Sequence, residues 1–257
     1  MEDSRKSRIK DSVLKIVTPL AAVAILLVAW ELIVTINKIP VWVIAKPTEI
    51  FTAFIKEFKT IWPNMWMTLK TILIAYPIAV ILALIVGALI TTSEFVSAGI
   101  GNYIIFLVCT PMMTLVPLLS MFLGFGILPR IIVTALQTFP IMNMNACVGF
   151  LNVPLERREL MYSLKANKFQ TFFKVTLPSS ANQIFNGLRL GFIECITCCI
   201  AAEFAGGNEG LGAAIVTDTH FMRVPLAFAS IIAVAIIGIT LYNFISSMEG
   251  VIKKWKD

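Results

Sequence analysis

Uninterrupted apolar runs, each long enough to cross a bilayer, constrain this chain more than any other feature. Crossing roughly 30 Å of hydrocarbon as a helix takes about 20 apolar residues. Six stretches qualify: 16–36, interrupted only by Glu31; 72–90; 103–128, with Pro111 and Pro117 leaving room for a re-entrant or broken portion; 131–151; 185–204, which carries Arg189, Glu194 and Glu203; and 225–248. Hydrocarbon offers no partner for backbone N–H and C=O groups, so only helices and closed barrels span it. A barrel would show short alternating segments rather than continuous apolar runs. The expected fold is therefore all-α and polytopic, with about six transmembrane helices in one domain over 1–257. The composition agrees: 58% hydrophobic and 14% charged residues, against about 45–50% and about 25% in soluble domains. No polar stretch is long enough for a separate soluble domain. The run 16–36 is too long for a signal-peptide core and lacks a cleavage site, so it is read as a retained span.

The net charge is +6, but the basic residues sit between apolar runs and not on one amphipathic face. They point to loop anchoring in a lipid bilayer, with no nucleic-acid partner. With the N-terminus inside, the inner segments carry Arg5, Lys6, Arg8, Lys10, Lys15, Arg157, Arg158, Lys165, Lys168, Lys174, Lys253, Lys254 and Lys256. The outer segments carry Lys38, Lys46, Lys56, Lys59, Lys70, Arg130 and Arg223. Lysine and arginine concentrate on cytoplasmic loops, so the expected topology is N-in and C-in. An outer segment from Pro47 to Thr60 has helical apolar spacing, with Thr48 as its expected N-cap.

Little in the chain suggests chemistry. Cys109, Cys147, Cys195, Cys198 and Cys199 all lie in apolar runs, where soft packing is their expected role. His220 is the single histidine, so neither a catalytic triad nor a metal site is expected, and no cofactor is called for. No Gly-x-x-x-x-Gly-Lys-Ser/Thr occurs, so no P-loop is present to cradle nucleotide phosphates.

The inner loop 152–180 carries the functional signal. It reads as two short helices. Pro154 suits a first helical position, Asn167 suits the second N-cap, and Pro178 is expected to stop the second helix before the fifth span. Phe169, Phe172 and Phe173 cluster on one side, beside Lys168 and Lys174. Such a face has two outlets, the headgroup region of the bilayer or a groove on a partner.

This loop resembles the EAA loop of binding-protein-dependent ABC importer permeases, whose pattern is Glu-Ala-Ala, three residues, Gly, nine residues, Ile-x-Leu-Pro. Glu159, Val175, Leu177 and Pro178 hold the Glu, Ile, Leu and Pro positions without gaps. Leu160 and Met161 replace the alanines, and Lys165 replaces the glycine, so the turn at Lys165-Ala166-Asn167 must form some other way, with Asn167 tolerant of positive φ. The stretches at Pro47-Thr48-Glu49, Gly124-Phe125-Gly126, Gly187-Leu188-Arg189, Ala202-Glu203 and Gly210-Leu211-Gly212 resemble further family motifs in the family's order. The closest branch is the nitrate, sulfonate, taurine and bicarbonate permeases, which includes carriers of thiamine precursors. The resemblance implies a multi-pass cell-membrane permease that is not itself an enzyme. It also implies a homodimer, two ATP-binding cassette subunits and an extracytoplasmic solute-binding protein. By the same resemblance Glu159, Lys165, Ala166, Phe169, Phe172, Phe173, Leu177 and Pro178 couple to the ATPase.

Charged and polar groups at membrane depth are costly and often functional. On a helical wheel, Gly187, Gly191, Cys195, Cys198 and Ala202 form a small-residue stripe suited to close helix approach. Glu194 borders it, and Arg189 and Glu203 fall opposite, near the inner and the outer end, each as an interface anchor or in a structural hydrogen bond. Glu194 either lines a path or dimer seam or is structural. Thr134, Gln137, Thr138 and Asn145 share a face of the fourth run, and Thr110 and Thr114 flank Pro111. These polar groups face either a translocation path or neighbouring spans. A self-sufficient secondary transporter or channel is the alternative reading; it calls for internal repeats or paired charges in several spans, and neither is evident.

Overall fold

The computed structural model describes residues 2–92 and 94–254, and among these there is no strand. Twelve helices follow in order: α1 Glu2–Ile36, α2 Pro47–Lys56, α3 Phe58–Thr92, α4 Glu94–Cys109, α5 Val116–Leu123, α6 Ile127–Leu151, α7 Leu155–Ser163, α8 Lys168–Thr171, α9 Leu177–Ser179, α10 Ala181–Gly206, α11 Leu211–His220 and α12 Val224–Lys254. Four are long and apolar enough to cross a membrane, namely Phe58–Thr92, Ile127–Leu151, Ala181–Gly206 and Val224–Glu249. The pair Tyr103–Cys109 and Met112–Leu123 makes a fifth if counted as one bent span. The apolar part of α1, Ala21–Ile36, is shorter. Of the residues used for orientation, Lys256 lies outside the described residues, as do the side chains of Arg5, Lys6, Arg8, Lys10, Lys15, Lys253 and Lys254.

The third apolar run is sharply broken. Its two halves meet at 83°, because Pro111 has no N–H to continue the ladder after Thr110. A 3₁₀ turn over Met112–Leu115 follows. Pro117 sits in the first turn of α5, where its missing donor costs nothing. The run also ends earlier than expected. Gly124, at φ +83°, closes α5, and Leu128 belongs to α6.

The helix α2 is capped differently from the expectation. Lys46 is the N-cap and Pro47 follows it. The Glu49 carboxylate accepts from Lys46 N–H at 3.0 Å. Thr48 instead donates from its hydroxyl to Glu31 at 2.8 Å, tying α2 to α1. Glu31 thus has a partner for the charge that interrupts the first run.

α6 is the most enclosed span, packed between α3 and α10. Lipid is as apolar as leucine, so close van der Waals contact, not removal from water, holds membrane helices together. Small residues supply it here. Ala75 and Ala79 of α3 pack on Ile131 and Ala135 of α6. At Gly187 of α10, a Cβ would lie 2.8 Å from Asn145 Cβ and 2.9 Å from Met142 Sδ. Cys195 and Cys199 join Phe192, Leu211, Ala229 and Ala233 in a second core between α10, α11 and α12. These cysteines pack as expected. Cys109 does not: it is exposed at the end of α4, just before the 83° break in the run.

Candidate functional site

The loop 152–180 folds as a helical hairpin. Pro154 is the N-cap of α7, one position earlier than expected. α7 ends in a Schellman motif, with Ala166 N–H donating to Met161 O (3.0 Å) and Lys165 N–H to Tyr162 O (2.9 Å). Lys165 takes φ +53°, so the left-handed residue sits where the resembled pattern has glycine. Asn167 is extended at φ −76° and does not carry the positive φ. It caps α8, its side chain accepting from Gln170 N–H at 2.7 Å while Gln170 Oε1 accepts from Asn167 N–H at 3.0 Å.

Pro178 does not stop this helix. A π-helical turn over Phe172–Thr176 leads straight into α9, and only Ser180 separates α9 from α10. The wide turn lets Leu177 N–H reach back to Phe172 O. Pro178 then falls in the first turn of the next segment, where no donor is needed. Arg158 donates to the α6 carbonyls Phe150 O (2.7 Å) and Leu151 O (3.3 Å), and Arg157 donates to Ser179 Oγ at 2.9 Å. A ladder of rings runs outward from α6 through Phe150, Phe172, Phe173 and Phe169, at successive centroid distances of 5.2, 5.2 and 4.5 Å. The hairpin is thus clamped to α6, and its last segment, α9, held by Arg157, runs on into α10. Glu159, Lys165, Phe169, Phe173 and Pro178 are exposed, while Ala166, Phe172 and Leu177 are half-buried.

The candidate path residues make most of their hydrogen bonds within their own segments. Thr134 and Thr138 are fully buried; Thr138 donates to Thr134 O at 2.7 Å, and Thr134 Oγ1 has no partner among the described residues. Asn145 is half-buried against Gly187 of α10 and donates to Ile141 O at 2.9 Å. Gln137 accepts from Met112 N–H at 3.3 Å, steadying the break in the third run. Thr110 and Thr114 return their hydroxyls to Phe106 O and Pro111 O, both at 2.8 Å. Glu194 is half-buried, with no hydrogen-bond or ion-pair partner among the described residues.

At the other end of the bundle lies a buried polar hub, roughly 35 Å along α3 from Thr91 at 1.5 Å per residue. The Glu203 carboxylate is wholly buried. It accepts from Thr68 Oγ1 (2.9 Å) and Gly212 N–H (2.8 Å), with Arg130 Nη1 at 3.9 Å. Thr68 Oγ1 in turn accepts from Leu211 N–H at 2.9 Å. Arg130 donates to Glu209 O (2.6 Å) and Gly126 O (3.1 Å). Gly210 stands at φ +105°, and a Cβ there would be 2.3 Å from the Glu203 carboxylate. The hub ties α3, α6, α10 and α11 together. It corrects one expectation. Arg130 is buried inside α6 and is not a loop anchor. α10 is covered by α6, α3, α11 and α12. The sequence signal for this hub was the charged pair Arg130 and Glu203 in otherwise apolar surroundings, together with Gly210-Leu211-Gly212. Arg189, expected at the headgroups, pairs with Glu249 of α12 and Asn186. Beyond α11, Arg223 and Asp218 pair at 3.0 Å; burial raises the Asp218 carboxyl above its ordinary range and the guanidinium opposes the rise.

Comparison with known proteins gives concordant results. The family model described as "Binding-protein-dependent transport system inner membrane component" matches residues 75–255. The riboflavin transport system permease protein RibX of Chloroflexus aurantiacus is 27% identical over 234 residues, 90% of this chain and 87% of that protein. The taurine transport system permease protein TauC of Escherichia coli is 24% identical, covering 92% and 88%. Among solved structures, an amino acid ABC transporter with histidines superimposes with a TM-score of 0.60 at 19% identity, covering 79% of this chain and 97% of that one. The inward-facing MetNI methionine ABC transporter gives 0.57 at 17%, covering 73% and 98%. These two show a shared fold.

Proposed function

The chain belongs to the binding-protein-dependent transport system inner membrane components, and from that membership we propose how it works as the permease of an ABC importer in the cell membrane. α1 joins the five apolar spans as a sixth, with both termini inside. Two copies of the chain form the pore, two ATP-binding cassette subunits sit beneath the hairpins, and an extracytoplasmic binding protein delivers the solute. ATP hydrolysis belongs to the partner subunits. Several relatives are named for taurine, nitrate, aliphatic sulfonates and formylaminopyrimidine, so the cargo is a small solute of the sulfonate or nitrate type or a thiamine precursor.

One observation carries this reading. The hairpin presents Glu159, Phe169 and Phe173 to solvent while Arg158 and the ring ladder fasten it to α6, and α9, held to α7 by Arg157, continues into α10. A push on the exposed surface from a closing ATPase therefore passes into two spans, shifting the permease between two rigid states. Within the membrane, Glu194 and the polar groups Thr110, Thr114, Gln137 and Asn145 are the path candidates that retain exposure; Thr134 and Thr138 act from behind them.

The test is transport in vesicles holding the reconstituted importer. Glu159→Ala and Phe169→Ala should abolish uptake while ATP is still hydrolysed and the permease remains in the membrane. Uptake persisting through both changes at normal expression refutes the docking role. Labelling of Lys165→Cys by an impermeant thiol reagent from outside the cell would overturn the topology.

A further inference from the structure

We propose that the membrane side of the hairpin is a binding site for one anionic phospholipid, with the headgroup phosphate held by Arg158 and Lys168 and an acyl chain laid along the end of α3. The inference rests on the cytoplasmic placement of the hairpin given above.

Two cavities of opposite character adjoin there. The first, about 330 Å³, lies between Thr91 and Thr92 of α3 and Arg158, Tyr162 and Lys168 of the hairpin. The second, about 560 Å³, runs between Leu84, Ala88 and Leu89 of α3 and Phe169 and Phe173. Thr92, Lys168 and Phe172 line both, so a molecule with a polar head and an apolar tail can occupy the two together.

The charges select the head. Two cations and no carboxylate stand among the described residues lining the polar cavity. Arg158 spends only Nη2 on the α6 carbonyls, which leaves Nε and Nη1 free of partners among the described residues. Lys168 has no ion-pair partner among them either. A guanidinium with free donors and a neighbouring ammonium match a phosphate. The hydroxyls of Thr91 and Thr92 already donate to their own helix backbone at 2.9 and 2.8 Å. Their oxygens can still accept, which suits the hydroxyls of a glycerol headgroup.

The position selects the tail. Thr92 ends a span, so the polar cavity lies at the level of lipid phosphates, and the groove descends along α3 toward hydrocarbon. A soluble phosphorylated ligand would leave that groove empty.

The purified full-length chain, without ATPase subunits, should be offered phosphatidylglycerol or phosphatidylcholine of the same acyl composition, and bound lipid read by native mass spectrometry. One phosphatidylglycerol should be retained per chain in preference to phosphatidylcholine. Lys168→Ala should weaken that retention about fivefold, the value of one cation against an anionic surface. Ala88→Trp, which fills the groove, should remove it. Equal retention of the two lipids overturns the proposal, as does retention of phosphatidylglycerol unchanged by Lys168→Ala; the latter variant alone decides if Ala88→Trp fails to fold. Since no ATPase is present, failure here leaves the docking role of Glu159 and Phe169 standing, and failure of that role leaves this result untouched.

Discussion

Replacing Glu203 with alanine would remove the acceptor on which three structural elements converge. Thr68 of α3 and Gly212 of α11 each lose a hydrogen bond to a charged group, at 2.9 and 2.8 Å, and such bonds contribute about 1.5–3 kcal/mol each. Arg130 loses its counter-charge but keeps the carbonyls Glu209 O and Gly126 O. Breaking a buried pair costs about 3–5 kcal/mol. The 3.9 Å separation from Arg130 is long for a pair, so the expected loss is at the lower end, about 3 kcal/mol. Glu203→Gln retains the shape and one acceptor and should cost about 1–2 kcal/mol. Unfolding of the purified permease in mixed micelles, followed through Trp62 and Trp66, both within about two turns of Thr68, gives both numbers. A double-mutant cycle with Arg130→Met isolates the pair and should give a coupling of about 1 kcal/mol or more. A cost below about 1 kcal/mol for the alanine variant, or additivity within about 0.5 kcal/mol in the cycle, would refute the hub as a stabilising junction.

Gly187→Val forces a branched side chain against Asn145 and Met142 and should destabilise the α6–α10 seam by about 1–3 kcal/mol, read as a lower melting temperature in detergent. Gln137→Leu leaves Met112 N–H without its acceptor, at a cost of about 1–3 kcal/mol, and hydrogen exchange should quicken over Met112–Leu115 and little elsewhere. Lys165→Gly relieves a left-handed residue worth about 1 kcal/mol, so exchange at Lys165 and Ala166, the donors of the α7 cap, should slow; faster exchange there would contradict the φ-based account.

The spans were legible because bilayer thickness and backbone chemistry leave few alternatives: 72–90, 131–151, 185–204 and 225–248 all fall within observed helices. Asn167 was readable as a cap because that role needs one side chain and one nearby N–H. What escaped depended on partners distant in sequence. Arg130 looked like a loop cation until Glu209 and Glu203 folded over it, and Thr48 looked like a cap until Glu31 claimed its hydroxyl. Pro178 misled for a local reason, since a π turn one step earlier removes the need for its missing donor. The polar stripe on the fourth run illustrates a third limit. Periodicity shows which groups share a face, but Thr138 and Asn145 owe their surroundings to how closely Gly187 and Gly191 let α10 approach.

The widened turn at Phe172–Thr176 also sets a phase. It lodges one residue more than an ordinary helical turn, so the aromatic ring pair at its leading edge is rotated by about 100° relative to the membrane helix that follows. The segment between Asn167 and Ser180 is therefore a fixed-length spacer. Gaining or losing a single residue there would swing Phe169 through more than a quarter of a revolution about the helix axis, with every helix boundary still intact.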